Sequence, residues 1–255
     1  MKIALITGAS SGMGREFAVQ ISRLGEVDEV WLVARREERL KSLAETLPVK
    51  SRVFALDLTD CEAIPTLIAE LEKENSEIKY LVLCAGYAKF GSYDQIADRD
   101  VSGMIDLNAK SLAVLTQKTV TYMRKGDHII HLASISAYMP VENLAIYGAT
   151  KAFVLSYSRA LGAELKPRKI SVTAVCPGWT DTEFFDSANN GENAKGPKKF
   201  KPMSRTDKVV KKALKSARKG KSVSIYGAYW KMMHVVNKIF PKKFAMAIWH
   251  KMQKR

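Results

Sequence analysis

Cysteine is scarce in this 255-residue chain. Cys61, Cys84 and Cys176 stand far apart, without metal-ligand or framework spacing. That excludes a disulfide-built scaffold and fits a reduced, cytoplasmic compartment. The three read as small core residues rather than nucleophiles. Histidine is equally thin. His128 and His131 fall on opposite faces of one strand-like run, while His234 and His250 lie near the C-terminus, so no metal set emerges. No apolar run approaches the roughly 18 residues of a membrane span. The apolar start, residues 1–6, is too short for a secretory leader and runs straight into Thr7-Gly8, so it reads as a first strand. Acid is missing from one region. Residues 195–255 hold 19 Lys and Arg against Asp207 alone, whereas residues 1–194 hold 22 basic and 25 acidic side chains. The net charge of +15 therefore belongs to the tail, as an interaction surface or a solvated face.

What is present is alternation. Short apolar, β-rich runs at 2–6, 29–33, 52–56, 80–83, 128–132, 170–175 and 222–226 are separated by helical stretches near 13–24, 37–46, 61–73, 100–124, 148–166 and 206–218. Thr59-Asp60-Cys61-Glu62 has the form of a capping-box start for the third helix. Continuously apolar strands between helices imply an α/β fold with a parallel sheet covered on both faces. Residues 179–206, rich in Gly, Pro, Asn and Lys, have no periodicity and read as a substrate flap.

After the first strand comes Thr7-Gly8-Ala9-Ser10-Ser11-Gly12-Met13-Gly14. Glycines at a strand-to-helix junction permit a tight turn and close approach of backbone to a pyrophosphate. The second strand ends at Ala34-Arg35-Arg36, with no acid where one would hold the ribose hydroxyls of NAD. Arginine there accommodates the 2′-phosphate of NADP, so NADP is expected over NAD. Asp57, at the end of the third strand, is a candidate for the adenine amino group or a helix cap. Tyr147 and Lys151 are four residues apart on a helix and project from one face. An ammonium beside a phenol is expected to lower its pKa from about 10 toward proton-exchange range.

In these residues the chain resembles the short-chain dehydrogenase/reductase family over roughly residues 2–182. Thr7 to Gly14 matches that family's TGxxxGxG turn, Tyr147 to Lys151 its YxxxK pair, and Leu56-Asp57-Leu58-Thr59 its adenine-contact segment. Asn108 matches its helix asparagine, Ser134 its substrate-orienting serine, and Pro177-Gly178-Trp179-Thr180-Asp181-Thr182 its segment after the sixth strand. The NNAG turn departs from the family, reading Leu83-Cys84-Ala85-Gly86, so its side-chain hydrogen bonds must be replaced. The resemblance implies a single-domain, Rossmann-type, doubly wound parallel sheet of about seven strands over 1–227, with a basic helical extension over 228–255. It implies hydride transfer between NADP(H) and a carbonyl or secondary alcohol, with an acyl- or steroid-like substrate. Tyr147 would then be the acid or base, Lys151 its modulator and ribose ligand, Ser134 the holder of the substrate oxygen, and Asn108 a water-positioner. Gly8, Ser10, Ser11, Gly12, Met13, Gly14, Arg35, Arg36, Asp57, Leu58, Ala85, Gly86, Tyr147, Lys151, Pro177, Gly178, Thr180 and Thr182 would contact the cofactor. A non-catalytic NADP(H) sensor is the alternative.

The resemblance also implies a homo-oligomer pairing the helices near 100–124 and 148–166, with Val101, Ile105, Leu112 and Leu115 as apolar candidates. In the tail, Trp230, Met233, Val236, Ile239 and Phe240 share helical spacing, and Phe244, Ile248 and Trp249 follow Pro241 among lysines. Two readings stand side by side, a packed roof over the substrate pocket and a basic amphipathic surface on an anionic bilayer. No nucleic-acid recognition motif accompanies the basic tail.

Overall fold

The computed structural model describes residues 1–188, 202–243, 246–247 and 250. Seven strands form one parallel sheet in the order β3-β2-β1-β4-β5-β6-β7: β1 (Lys2–Thr7), β2 (Glu29–Ala34), β3 (Lys50–Ala55), β4 (Glu77–Leu83), β5 (His128–Leu132), β6 (Ser171–Val175) and β7 (Val223–Ser224). All seven expected strands are present. β4 begins three residues earlier than its apolar run, because Glu77 and Ile78 extend the ladder opposite Lys2 and Ile3. One core cluster holds Leu5, Trp31, Leu81 and Ile129, and a second holds Ile6, Leu32, Val82 and Ile130. Successive strand residues thus bury against opposite helical layers.

The helices are α1 (Gly12–Ser22), α2 (Glu37–Thr46), α3 (Ala63–Lys73), α4 (Asp98–Ile105), α5 (Leu112–Thr119), α6 (Ala145–Glu164), α7 (Phe184–Ala188), α8 (Thr206–Arg218) and α9 (Ala228–Ile239). Two local expectations fail. The capping box is not made. Asp57 accepts from the Thr59 N–H and Asp60 from the Glu62 N–H. These two turns postpone the helix to Ala63, since Asp side chains satisfy the donors nearest to them. The stretch 100–124 is not one α-helix, because Asp106–Ser111 forms a π-helical turn between α4 and α5. Such turns re-aim side chains, and this one carries Asn108.

Cys84 and Cys176 are core residues, as expected, but Cys61 is exposed. Leu112 and Leu115 face the core, while Ile105 is exposed together with Val114 and Phe153. α9 also departs from its expected pattern. Trp230 and Asn237 are buried and Met233 is half-buried, but Ile239 is 71% exposed. At 100° per residue, Trp230, Met233 and Asn237 share the inward face. Met232, Val235 and Ile239 lie diametrically opposite. Phe244, Ile248 and Trp249 lie outside the described residues, as does 189–201 of the flap. Among the described residues, no helix is long and apolar enough to cross a membrane.

Candidate active site

A cleft of about 350 Å³ opens over the C-terminal ends of the strands, where the strand order reverses between β1 and β4. That is where open α/β sheets bind ligands. At one end its walls are backbone. Gly8 has φ +67°, and a Cβ there would lie 2.9 Å from the Ala85 nitrogen. A Cβ on Gly14 would overlap the Gly8 carbonyl. Only glycine permits this approach of the first turn to the turn after β4. The missing asparagines of that second turn are replaced from β1. Thr7 Oγ1 accepts from the Cys84 and Ala85 N–H groups, both at 3.1 Å.

Beside the glycines lies a basic cluster. Arg36 donates to Ser10 Oγ from Nε (3.2 Å) and Nη2 (3.1 Å), and to Ser11 Oγ from Nη2 (2.7 Å). Its Nη1 meets the Glu183 carboxylate at 3.1 Å, and Arg39 Nη1 reaches both oxygens of Glu183 at 2.7 Å. Arg35 pairs with Asp57 at 3.6 Å. The Asp57 carboxylate also accepts from the Thr59 N–H and hydroxyl. Burial would raise the Asp57 pKa, and these bonds with Arg35 outweigh it, holding the carboxyl below its usual range.

Deeper in, α6 presents Tyr147 and Lys151, both buried. Lys151 Nζ lies 5.5 Å from the Tyr147 ring centroid and donates to the Leu132 carbonyl at 2.7 Å. Ser134 accepts from the Ser136 N–H, capping the turn Ile135–Tyr138, and hydrogen-bonds with Tyr147. The expected lowering of the phenol's pKa is not what the free cleft produces. Burial pushes Tyr147 well above its ordinary value, with Ser134 drawing it back, and pushes Lys151 down to about 8. Desolvation favours both neutral forms and here outweighs their proximity. Cys84 and Cys176, likewise buried, are pushed up to about 12 and stay as thiols.

Every expected site residue lines this cleft except Asn108. Asn108 is fully buried, accepting from the Tyr87 N–H at 3.0 Å and donating to the Tyr87 carbonyl (2.9 Å) and Thr150 Oγ1 (3.2 Å). Its side chain ties the turn after β4 to α6. The two histidines of β5 stay outside. Burial lowers His131 to about 3 and His128 to about 4, and they bond with Ser158 and Ser171 respectively. Among the described residues, no group of His, Cys, Asp or Glu is arranged to hold a metal ion.

The other end of the cleft is side chain, with Tyr87, Phe90, Val141, Leu144, Phe184 and Met233 among its walls. Trp230 packs directly on Gly178, where a Cβ would overlap the indole Cε2. Thr182 Cγ2 approaches Gly12, and Ser204 N–H donates to the Trp179 carbonyl at 2.8 Å, tying the two ends of the flap together. Arg39 and Glu183 have no place in the sequence reading. Arg39, in the first turn of α2, stands three residues beyond Arg36, the residue that precedes the helix, a spacing that could have marked it. Glu183 carries no local signal.

The profile of the short chain dehydrogenase family matches residues 2–193. Sulfoacetaldehyde reductase 2 of Chromohalobacter salexigens is 37% identical over 198 residues, covering 75% of this chain and 78% of that relative. A solved short-chain dehydrogenase from Sphingobium yanoikuyae in complex with NADPH aligns with a TM-score of 0.77 at 31% identity, covering 93% of this chain and 94% of that one. The bulky-bulky ketone specific alcohol dehydrogenase from Comamonas testosteroni gives 0.75 at 27% identity, with 93% and 92% covered.

Proposed function

Because this chain belongs to the short chain dehydrogenase family, we propose that it is an NADP(H)-dependent oxidoreductase interconverting a lipophilic ketone and its secondary alcohol. The observation that carries this is the meeting of Tyr147, Lys151 and Ser134 where the glycine end of the cleft joins the aromatic end. The cofactor's fit is supported by the close approach of Gly8, Gly14 and Ala85 and by the cation-and-hydroxyl cluster of Arg36, Ser10 and Ser11. When bound, the nicotinamide group supplies or accepts the hydride. Ser134 orients the substrate oxygen and Tyr147 donates its proton to that oxygen in reduction, or takes it in oxidation. Burial keeps the phenol protonated in the free cleft, the form that can donate to a carbonyl oxygen. Lys151 stands behind the phenol as the nearby cation, held by the Leu132 carbonyl.

The described lining supports a lipophilic substrate. Among the described lining residues, the cations Arg35, Arg36 and Lys151 stand at the glycine end or beside Tyr147, and the aromatic end carries none. Those described walls offer a small sulfonated aldehyde no counter-ion, whereas a bulky ketone suits their apolar surface. NADPH oxidation across bulky aromatic ketones, steroids, acyl thioesters, small diketones and a sulfonated aldehyde tests this. The highest kcat/KM is expected with a bulky ketone, and turnover confined to the small charged aldehyde would overturn it. A purely sensing protein has no use for the tyrosine–lysine–serine set.

Residues 1–227 then form the catalytic domain, with 179–206 as flap and 228–255 as a basic C-terminal extension, whose helix α9 packs on the cleft through Trp230. Ile105, Val114 and Phe153 are exposed on α4, α5 and α6 and supply a face for a homodimer. A monomer by sedimentation at micromolar concentration would remove that part. Three unpaired cysteines fit a cytoplasmic setting. One observation favours a second role for the tail. The outward stripe of Met232, Val235 and Ile239, beside Lys231 and Lys238, suits contact with an anionic bilayer.

A further inference from the structure

Glu183 has no part in the chemistry above, yet the basic cluster is built around it. Arg39 Nη1 reaches its two oxygens at 2.7 Å, and Arg36 Nη1 meets it at 3.1 Å. Arg36 is itself held by Ser10 Oγ and Ser11 Oγ. The arrangement is an anion cradle of two guanidinium groups and two hydroxyls at the end of β2. The anion in it belongs to the protein's own chain. A carboxylate and a phosphate ester present the same forked acceptors to arginine.

We infer that Glu183 occupies the subsite of the cofactor's 2′-phosphate, that Arg39 completes that subsite with Arg36, and that Glu183 tunes NADP(H) against NAD(H) by competing with the phosphate. This rests on the NADP(H) reading above. Only a nucleotide bearing the 2′-phosphate has to displace Glu183. A 2′-hydroxyl brings no charge to the cradle and leaves the pairs in place. The coupling reaches the reaction centre along one peptide bond. The next residue, Phe184, has its ring 5.4 Å from the ring of Tyr147. Thr182, on the other side, rests against Gly12.

The pairs are about half exposed, and exposed ion pairs are weak. Abolishing the competitor should accordingly tighten NADPH by about three- to sixfold. The test is titration of the full chain with NADPH and with NADH, followed by calorimetry. The wild-type preference for NADPH judges the nucleotide reading alone, and its absence would remove that reading before any variant is made. Glu183→Gln should tighten NADPH three- to sixfold and leave NADH unchanged. In an Arg39→Ala background, the same substitution should gain less than twofold, because its main partner is gone. Weaker NADPH binding by Glu183→Gln would identify a clasp over the bound nucleotide and overturn the inference. So would no change, an equal gain for both nucleotides, or a full gain in the Arg39→Ala background, the last being the signature of plain charge repulsion.

Discussion

At the glycine end of the cleft the walls are main chain, with Gly8, Gly14 and Ala85 so close that a single methyl group would fill the gap. At the aromatic end they are side chains delivered by four separated segments, near 87–90, 139–144, 179–185 and 229–233. Backbone walls leave few choices of residue, because an added Cβ would collide with the facing main chain. Side-chain walls can be exchanged one at a time without disturbing the sheet. Tyr147 and Lys151 stand where the two constructions meet.

The strongest way to break this division is at the shared residue. Tyr147→Phe removes one hydroxyl and should lower ketone turnover by about two orders of magnitude or more, with nucleotide affinity nearly intact. Turnover close to the parent's would mean that the junction is not the reaction centre. Next in size, Arg35→Ala combined with Arg36→Ala should erode the preference for NADPH by about tenfold to a hundredfold while leaving the KM for ketone alone. An effect on ketone binding of similar size would show that the two ends are not separable.

Gly178→Ala tests the roof. Its Cβ would intrude on the Trp230 indole, and overpacking of this kind costs about 1–3 kcal/mol. A lower melting temperature is expected, partly restored by Trp230→Leu in the same chain; an unchanged one would show that α9 is not docked there. Lys151 gives a pH signature. Burial sets it near 8, below the usual lysine value of 10.5. The kcat/KM for reduction should be level below pH 8 and fall by up to about tenfold per unit above it. Stability moves the other way. Between pH 8 and 10.5 the unfolded chain holds a proton that the folded chain has released, so this residue's effect on folding improves as pH rises. A rate profile level to pH 10 would show that the Lys151 ammonium does not assist Tyr147. The smallest effect belongs to the outer face of α9. Serine at Met232, Val235 and Ile239 together should abolish salt-sensitive pelleting with anionic vesicles and leave ketone turnover within about twofold. Absence of pelleting by the parent chain would leave α9 with its inner face alone.

Much of this molecule is legible along the chain. The seven strands are apolar runs bounded by turn residues, and the glycine turn, the arginine pair and the Tyr147–Lys151 spacing are local patterns. Failures come where a local pattern met competition. Thr59-Asp60-Cys61-Glu62 has the form of a capping box, yet Asp57 and Asp60 take the nearby donors first. The tail's apolar residues read as one face until the helix shows two, with Trp230 inside and Ile239 outside.

By itself, then, the sequence determined the order of elements, the parallel sheet and the candidate site residues, because each depends on spacings within a strand, a turn or a helix. Tertiary structure decided the rest. Thr7 replaces the absent asparagines through a hydroxyl whose partners lie 77 and 78 residues away. Glu183 meets Arg36 and Arg39 across 147 and 144 residues. Burial, which no single stretch of sequence reports, raised the phenol's pKa where its neighbouring lysine alone would have lowered it. Desolvation is a property of everything that surrounds a group, and in this chain those surroundings come from segments that only the fold brings together.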